Sequence, residues 1–231
     1  MLLMFTQVSA QKIEVLIVDG FSNHHWEQTT KVVKEMLETS GRFNVAVSTA
    51  SAQTGTKEWR RWKPRFRDYD VVIQNCNNIQ SPELRWPRRV EKRLEKYVTR
   101  GGGLYVLHSA NNAFAHWPEY NRMIGLGWRT AAEGVALPVS RARTLTRLPA
   151  AYGRTTYHGP REAEAIRKLT PHPITDGLPV AWKTPNMELY KFARGPAENL
   201  TVLSYAQDDE TRINWPVEWT VAYGKGRVYN S

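Results

Sequence analysis

The sequence predicts an α/β fold in which a mainly parallel β-sheet is flanked by helices. Short apolar runs alternate with helical patterns four times in the first half of the chain. The runs are short and rich in β-branched residues, as expected of strands buried on both faces. The predicted strands of this half are residues 12–19, 43–47, 69–74 and 104–107.

The two longest helical segments have recognisable ends. Residues 27–40 carry an apolar stripe at helical spacing, and Gly41 provides the C-terminal stop. Ser81 and Pro82 are typical helix-start residues, so the second helix is predicted over residues 83–100.

The alternation is less regular after Trp117. We predict a short helix within residues 120–128 and a β-rich excursion between about Leu126 and Pro160, with one or two strands in residues 135–148. Later strands are predicted at residues 187–192, 201–205, 218–223 and 226–229.

The stretch GGGLYVLHSANN, residues 101–112, is the centre of the predicted fold. A strand that ends in a tight polar turn before a new helix has the geometry of a nucleophile elbow, which raises one side chain above the sheet edge. Here that side chain is His108, at the edge where open α/β sheets bind ligands. An ordinary strand exit with a packed, hydrogen-bonded His108 explains the pattern equally well.

Length and composition limit the class of protein. The chain has 231 residues, 41% of them hydrophobic, and nine tryptophans, which is enough for a folded core. No apolar run reaches the roughly 20 residues of a membrane-spanning helix. The single cysteine, Cys76, excludes an internal disulfide and a cysteine-based zinc site.

Residues 1–10 are apolar and small, and they end in Val-Ser-Ala before Gln11. This pattern resembles the end of a secretory signal peptide. We therefore predict a signal-peptide remnant over residues 1–10, a single domain over residues 11–231, and a periplasmic or secreted location, with the cytoplasm as the alternative.

The formal net charge of +10 raises the question of a nucleic-acid partner. Much of the positive charge lies in residues 57–100, where Glu58, Glu91 and Glu95 are interleaved with it, as on solvated helix faces. No helix-turn-helix, zinc-finger or RNP pattern accompanies the charge. The sequence therefore predicts no nucleic-acid partner.

Histidines and carboxylates in loops and at strand ends are the candidates for catalysis. His24 and His108 follow two strands that are expected to be neighbours, so one cleft can hold both imidazoles. Glu188 and Glu218 lie in or beside apolar strands, where burial raises a carboxyl pKa toward the range useful to an acid or a base. Pairing with arginine is the structural alternative for each carboxylate.

No cofactor is predicted, since the chain has no HExxH motif. The alternative is a divalent metal ion held by His24, His108, His158 and Glu188, because such ions accept mixed imidazole and carboxylate ligands. Ser109 is not predicted to be a nucleophile, since no GxSxG motif surrounds it.

A small-molecule carbohydrate is the candidate partner. Flat tryptophan faces suit the apolar side of a sugar ring, and asparagine side chains can hydrogen-bond its hydroxyls. The alternative is that most of the tryptophans are core residues, because tryptophan is large and well buried on average. The predicted substrate-binding residues are His25, Asn111, Asn112, Trp128, His158, Glu218 and Trp219.

Several motifs in one order resemble those of the ThuA-like (trehalose utilisation) family, over residues 12–231. They are GGGLYVLHSANN, IGLGWR, YHGP, LTPHPITDGLP, MELYKFARGPAENLTVLSYA and WTVAYGKGRVYNS. The resemblance implies a flavodoxin-like sheet of the class I glutamine amidotransferase-like superfamily.

The chain departs from these patterns at three places. His108 stands at or beside the elbow position of the amidotransferase cysteine, so glutamine amidotransferase activity is not implied. Met187 replaces the Asp of the family's Asp-Glu-Leu-Tyr and leaves Glu188 in place. The family usually continues after the GKGRV strand to a Gly-His pair, so we expect the domain to be truncated at its C-terminus.

The resemblance implies sugar metabolism, with cleavage or modification of a (3-keto-)glycoside by a lyase or a hydrolase. In that chemistry His108 or His24 is the base and Glu188 the acid. The alternative is a non-catalytic sugar-binding or interaction module on the same fold, because a fold alone does not fix a function.

Overall fold

The computed structural model describes residues 11–231. The strands are β1 Ile13–Asp19, β2 Phe43–Thr49, β3 Val71–Gln74, β4 Gly103–Val106, β5 Val135–Ala136, β6 Glu162–Lys168, β7 Ala181–Met187, β8 Arg194–Gly195, β9 Leu200–Gln207, β10 Asn214–Tyr223 and β11 Gly226–Asn230. The α-helices are α1 Trp26–Thr39, α2 Lys57–Arg61, α3 Arg88–Thr99 and α4 Pro118–Ile124, and single 3₁₀ turns form at Phe66–Asp68 and His108–Asn112.

Nine strands form one mixed sheet in the order β2-β1-β3-β4-β11-β10-β9-β6-β7. The first five strands of this order are parallel, and β10, β9, β6 and β7 add to them in antiparallel pairs. The parallel half has the flavodoxin-like order 2-1-3-4-5. The predicted fold class is confirmed.

The two faces of the parallel half are covered by different helices. On one face Leu16, Val72 and Val228 pack in a buried cluster with apolar residues of α3 and α4, such as Leu94 and Met123. The other face packs Val15, Ile17 and Ile73 against the half-exposed stripe of α1. Helices on both faces explain why these strands are apolar throughout.

Two predicted element boundaries are wrong. The helix predicted from residue 83 begins at Arg88, with Pro87 at its N-cap position, because a proline restricts the residue before it and cannot lie inside the helix. The strand predicted over residues 187–192 is absent, since β7 already ends at Met187.

The antiparallel part lies later in the chain than predicted. Within residues 126–160 the described structure forms only β5 and isolated bridges such as Ala136 with Leu148. The main antiparallel extension starts with β6 and β7. Neither of these strands was predicted from the sequence.

Two carboxylates of the basic region are not on a solvated face. Glu91 and Glu95 are buried, and Trp117 Nε1 donates to Glu95 Oε1 at 2.8 Å. Arg88 and Lys92 pair with them across three residues of α3. The acidic side chains therefore anchor the helix rather than only balance its surface charge.

None of the helices in residues 11–231 is long and apolar enough to cross a membrane. The signal-peptide prediction for residues 1–10 lies outside the described residues.

Candidate active site

A cleft of about 630 Å³ opens at the carboxyl ends of the parallel strands. His24 enters it from the loop after β1, and His108 from the turn after β4. The antiparallel half supplies the opposite wall, with Glu188 after β7 and Pro216 from β10. The site is therefore made where the two halves of the sheet meet.

His108 sits on a strained elbow. It begins the 3₁₀ turn that follows β4, and its φ of 45° lies in the left-handed region, which costs energy for any residue other than glycine. Its backbone N–H donates to the carbonyl oxygen of Ser231 at 2.7 Å, which fixes the turn against the end of β11. The side chain remains 45% exposed and lines the cleft.

The pairing of β6 with β7 brings Glu188 to Arg161. Glu162 faces Met187 in this antiparallel register, so the residue before β6 and the residue after β7 are neighbours. The guanidinium of Arg161 forms an ion pair with Glu188 Oε1, and the Glu188 side chain is only 7% exposed. A nearly buried carboxylate with an arginine partner is thus fixed in the wall of the cleft.

Two imidazoles lie close to this carboxylate, and a third packs against one of them. Oε2 of Glu188 lies 3.6 Å from Nε2 of His108 and 4.0 Å from Nε2 of His158. The rings of His24 and His108 meet edge to face, with centroids 5.0 Å apart. One ligand atom from each of His24, His108 and Glu188 lies within 4.8 Å of the other two.

The orientation of His158 follows from its neighbours. The bridge between Tyr157 and Lys191 places the His158 ring over Tyr190, with centroids 6.4 Å apart and planes at 17°. Nδ1 of His158 lies 2.6 Å from the carbonyl oxygen of Gly159, which makes Nδ1 the protonated nitrogen and leaves a lone pair on Nε2.

The environment alters two pKa values. Burial, followed by the nearby His24, lowers the pKa of His108 from its ordinary value, although Glu188 acts in the opposite direction. This environment favours the neutral form of the ring. Burial raises the pKa of Tyr190, whose hydroxyl accepts a hydrogen bond from Asn112 Nδ2 at 3.1 Å and stays protonated.

Polar and aromatic groups complete the walls. Asn111 and Trp219 line the cleft, and Trp219 Nε1 donates to the carbonyl of Ile124 at 2.7 Å. Among the described residues, no donor reaches the buried Oδ1 of Asn111. Trp128 packs edge to face on both His158 and Tyr190.

Known proteins identify the family of this chain. Residues 14–231 match the family model described as "ThuA: Trehalose utilisation". The chain belongs to the ThuA family. This membership relates the chain to carbohydrate utilisation. Among curated proteins, none matches the chain.

Solved structures resemble the whole of this ThuA chain. A putative ThuA-like protein from Parabacteroides merdae is 31% identical with a TM-score of 0.86, over 96% of this chain and 79% of that chain. A putative ThuA-like protein from Bacteroides uniformis shares the fold at 15% identity, with a TM-score of 0.61 over 98% of this chain and 84% of that chain. A glutamine amidotransferase from Thermotoga maritima aligns at 9% identity with a TM-score of 0.49, over 94% of this chain and 74% of that chain.

Most residues predicted for the ThuA site are brought together. His24, His108, Asn111, Glu188 and Trp219 line the cleft. His158, Asn112 and Trp128 surround it through their contacts with Glu188 and Tyr190.

The two remaining predicted residues, His25 and Glu218, neither line the cleft nor belong to this surrounding set. His25 is exposed at the N-cap position of α1, because neighbouring residues of a loop cannot both face one cleft. Glu218 accepts hydrogen bonds from Ser204 Oγ and Tyr229 OH, each at 2.6 Å, and so acts as a partner within the sheet. The register between β10 and β9 shifts on both sides of Glu218, so strict alternation does not assign this residue to a face.

The sequence analysis missed two residues of the ThuA site. Arg161 directly follows the YHGP motif, and Tyr190 directly follows Glu188 and Leu189. Arg161 is three residues after His158, and Tyr190 is two residues after Glu188. The signal that could have found Arg161 was the pairing with an arginine that was already the alternative for Glu188.

Proposed function

We propose that this chain is an enzyme that cleaves a 3-keto-glycoside by elimination in the cleft between His24, His108 and Glu188. One observation carries the proposal: three imidazoles cluster with one nearly buried carboxylate at the carboxyl edge of the parallel strands. Membership of a family described by trehalose utilisation supports a carbohydrate as the substrate class.

The chemistry needs a base close to a polarised carbonyl group. A keto group at C3 acidifies the proton on C2, and an imidazole takes that proton. The C2–H electrons first form the C2=C3 double bond of an enolate, with the charge on the C3 oxygen. When the C3 carbonyl forms again, a C1=C2 double bond forms, the glycosidic C1–O bond breaks, and the departing oxygen takes a proton from water. Negative charge that develops on the keto oxygen is stabilised by a cation or by hydrogen-bond donors.

His158 is the base that the geometry favours. Its Nδ1–H is directed at the carbonyl of Gly159, so the Nε2 lone pair is available to accept a proton. Glu188 pairs with Arg161 and is better suited to orient the imidazoles than to donate a proton. The proposal therefore gives Glu188 a positioning role in place of the acid role expected from the sequence.

The walls suit a sugar. The volume of about 630 Å³ lies in the range of small-molecule sites. Trp219 and Tyr190 line the cleft although both are nearly buried, and Asn111 adds an amide oxygen that no donor among the described residues reaches.

The test compares two substrates that differ only in oxidation at C3. We expect purified protein to release the glycosidic substituent from 3-keto-trehalose, to form a conjugated enone that absorbs in the ultraviolet, and to leave trehalose intact. Incubation in D₂O should also place deuterium on C2 of recovered keto substrate. Equal cleavage of both sugars would make the protein a hydrolase, and saturable binding without turnover would make it a sugar-binding module. Either result rejects the proposal.

A further inference from the structure

We propose that His24, His108 and Glu188 form a binding site for a divalent transition-metal ion of the zinc class. Binding of the ion follows from the donor set alone. What the ion does in catalysis rests on the proposed function.

The three donors are close to the spacing that a metal ion requires. Zinc bound to nitrogen and oxygen at about 2.0–2.1 Å in tetrahedral geometry holds its ligands about 3.4 Å apart. Nε2 of His108 and Oε2 of Glu188 are already 3.6 Å apart. The widest pair lies within 4.8 Å, so closure by roughly 1.4 Å or less completes the triangle.

The donor chemistry favours a catalytic ion over a structural one. Two imidazoles and one carboxylate leave coordination positions open for water or substrate. Arg161 occupies Oε1 of Glu188 and leaves Oε2 directed at His108, which is how outer partners orient metal-binding carboxylates. The positive charge of Arg161 opposes the ion, but its side chain is 60% exposed, so water screens much of the repulsion.

The fold holds the ligands from separate elements. His24 follows β1, His108 follows β4 and Glu188 follows β7. The left-handed φ of His108 and its backbone hydrogen bond to Ser231 direct one imidazole at the carboxylate. Strained backbone of this kind commonly occurs at functional sites.

An ion at this point supplies the positive charge that the elimination needs. When held by His24, His108 and Glu188, such an ion would supply Lewis-acid stabilisation of negative charge without a change in oxidation state. His158, whose Nε2 lies 4.0 Å from Glu188 Oε2, remains outside the three ligands and takes the proton.

The experiment measures metal binding directly. Tag-free full-length protein is stripped with EDTA, dialysed and titrated with ZnCl₂ by calorimetry, and CoCl₂ is added separately to record visible absorption. We expect one equivalent of Zn²⁺ to bind. His24→Gln and Glu188→Gln should each weaken binding on the order of 100-fold or more, above the usual cost of losing an outer partner.

His25→Gln is the matched control, because it removes the adjacent histidine, which is exposed and outside the cleft lining. It should keep the affinity and the cobalt spectrum of the unmodified protein. His158→Gln should also keep the stoichiometry. Circular dichroism confirms that each variant is folded before titration.

The results separate the two proposals. Absence of Zn²⁺ binding, or equal loss in the His24 and His25 variants, overturns the metal site. Loss of stoichiometry in His158→Gln also overturns the three-residue assignment. Metal binding without turnover of the keto sugar keeps the site and rejects the proposed function. Full turnover by stripped protein that binds no Zn²⁺ keeps the proposed function and rejects the metal site.

Discussion

Replacing Glu188 with Gln tests whether this carboxylate belongs to a site or to the framework, because the substitution removes charge and keeps shape. The carboxylate is 7% exposed, but its arginine partner is 60% exposed. Arg161 can therefore return to water after the substitution, and the pair should contribute no more than a surface ion pair does. We expect Glu188→Gln to lower the free energy of unfolding by about 1 kcal/mol or less.

Asp208→Asn is the matched control, because it makes the same kind of change in a buried ion pair. Asp208 accepts from Lys191 Nζ at 2.5 Å, and the two side chains are 4% and 7% exposed. Asparagine would leave the Lys191 ammonium group buried without a counter-charge. We expect a loss of about 3–5 kcal/mol, the usual cost of breaking a buried pair.

The loss of turnover should rank the two variants in the opposite order to the loss of stability. Glu188→Gln removes the charge that the imidazoles surround, and the rate should fall on the order of 100-fold. Asp208→Asn should affect the rate per folded molecule much less. Urea unfolding followed by circular dichroism and initial rates on 3-keto-trehalose, measured on the same preparations, give both quantities. If Glu188→Gln is as destabilised as Asp208→Asn and keeps its rate per folded molecule, Glu188 is a structural residue.

Three more predictions follow from the same contacts. His108→Gln should change the free energy of unfolding by about 1 kcal/mol or less, since the side chain is 45% exposed. The same variant should lower turnover on the order of 100-fold, and a normal rate would exclude His108 from the site. Burial alone would raise the pKa of Asp208, but hydrogen bonds, chiefly from Lys191, outweigh it and lower the pKa. The stabilisation that Asp208 contributes is thus fully present above its unfolded pKa of about 3.9 and is lost as the pH falls through the folded pKa. The free energy of unfolding in urea, measured from pH 5 to 2, should therefore depend less on pH in Asp208→Asn than in the unmodified protein. Parallel curves for the two proteins would contradict this prediction. Gly127→Ala would place a Cβ 2.2 Å from the carbonyl oxygen of Asn111, so we expect a loss of about 1–3 kcal/mol in thermal unfolding, and an unchanged melting temperature would show that the elbow can move aside.

The parallel half of the fold could be predicted because its signal is local. Each central strand is an apolar run between polar loops, and helices on both faces require that pattern. The start of α3 was predicted wrongly although its signal is also local, since Pro87 lies inside the helix predicted from residue 83 and marks the N-terminus of the observed one.

The site could be predicted only in part, for a related reason. The strands before His24 and His108 are not neighbours, as was predicted, because β3 lies between β1 and β4. Both strands are parallel and end at the same edge of the sheet, so the two imidazoles still reach one cleft. The pairing of Arg161 with Glu188 depends instead on the register between β6 and β7. The strand β6 reads EAEAIRK, in which only Ile166 is buried, and such a polar strand gives almost no hydrophobic signal.

The contrast between the two halves explains how one sheet acquires its chemistry. The parallel half alone presents His24 and His108 at an open edge, with no carboxylate beside them in the cleft. The β6–β7 pair adds Glu188, and the segment before it adds His158 and Arg161. A sheet of the same parallel order with a different β6–β7 connection would keep the two imidazoles and lose the carboxylate. The antiparallel extension therefore supplies the carboxylate of this candidate site. Likeness of the parallel core consequently establishes the fold, whereas the function depends on the residues around Glu188.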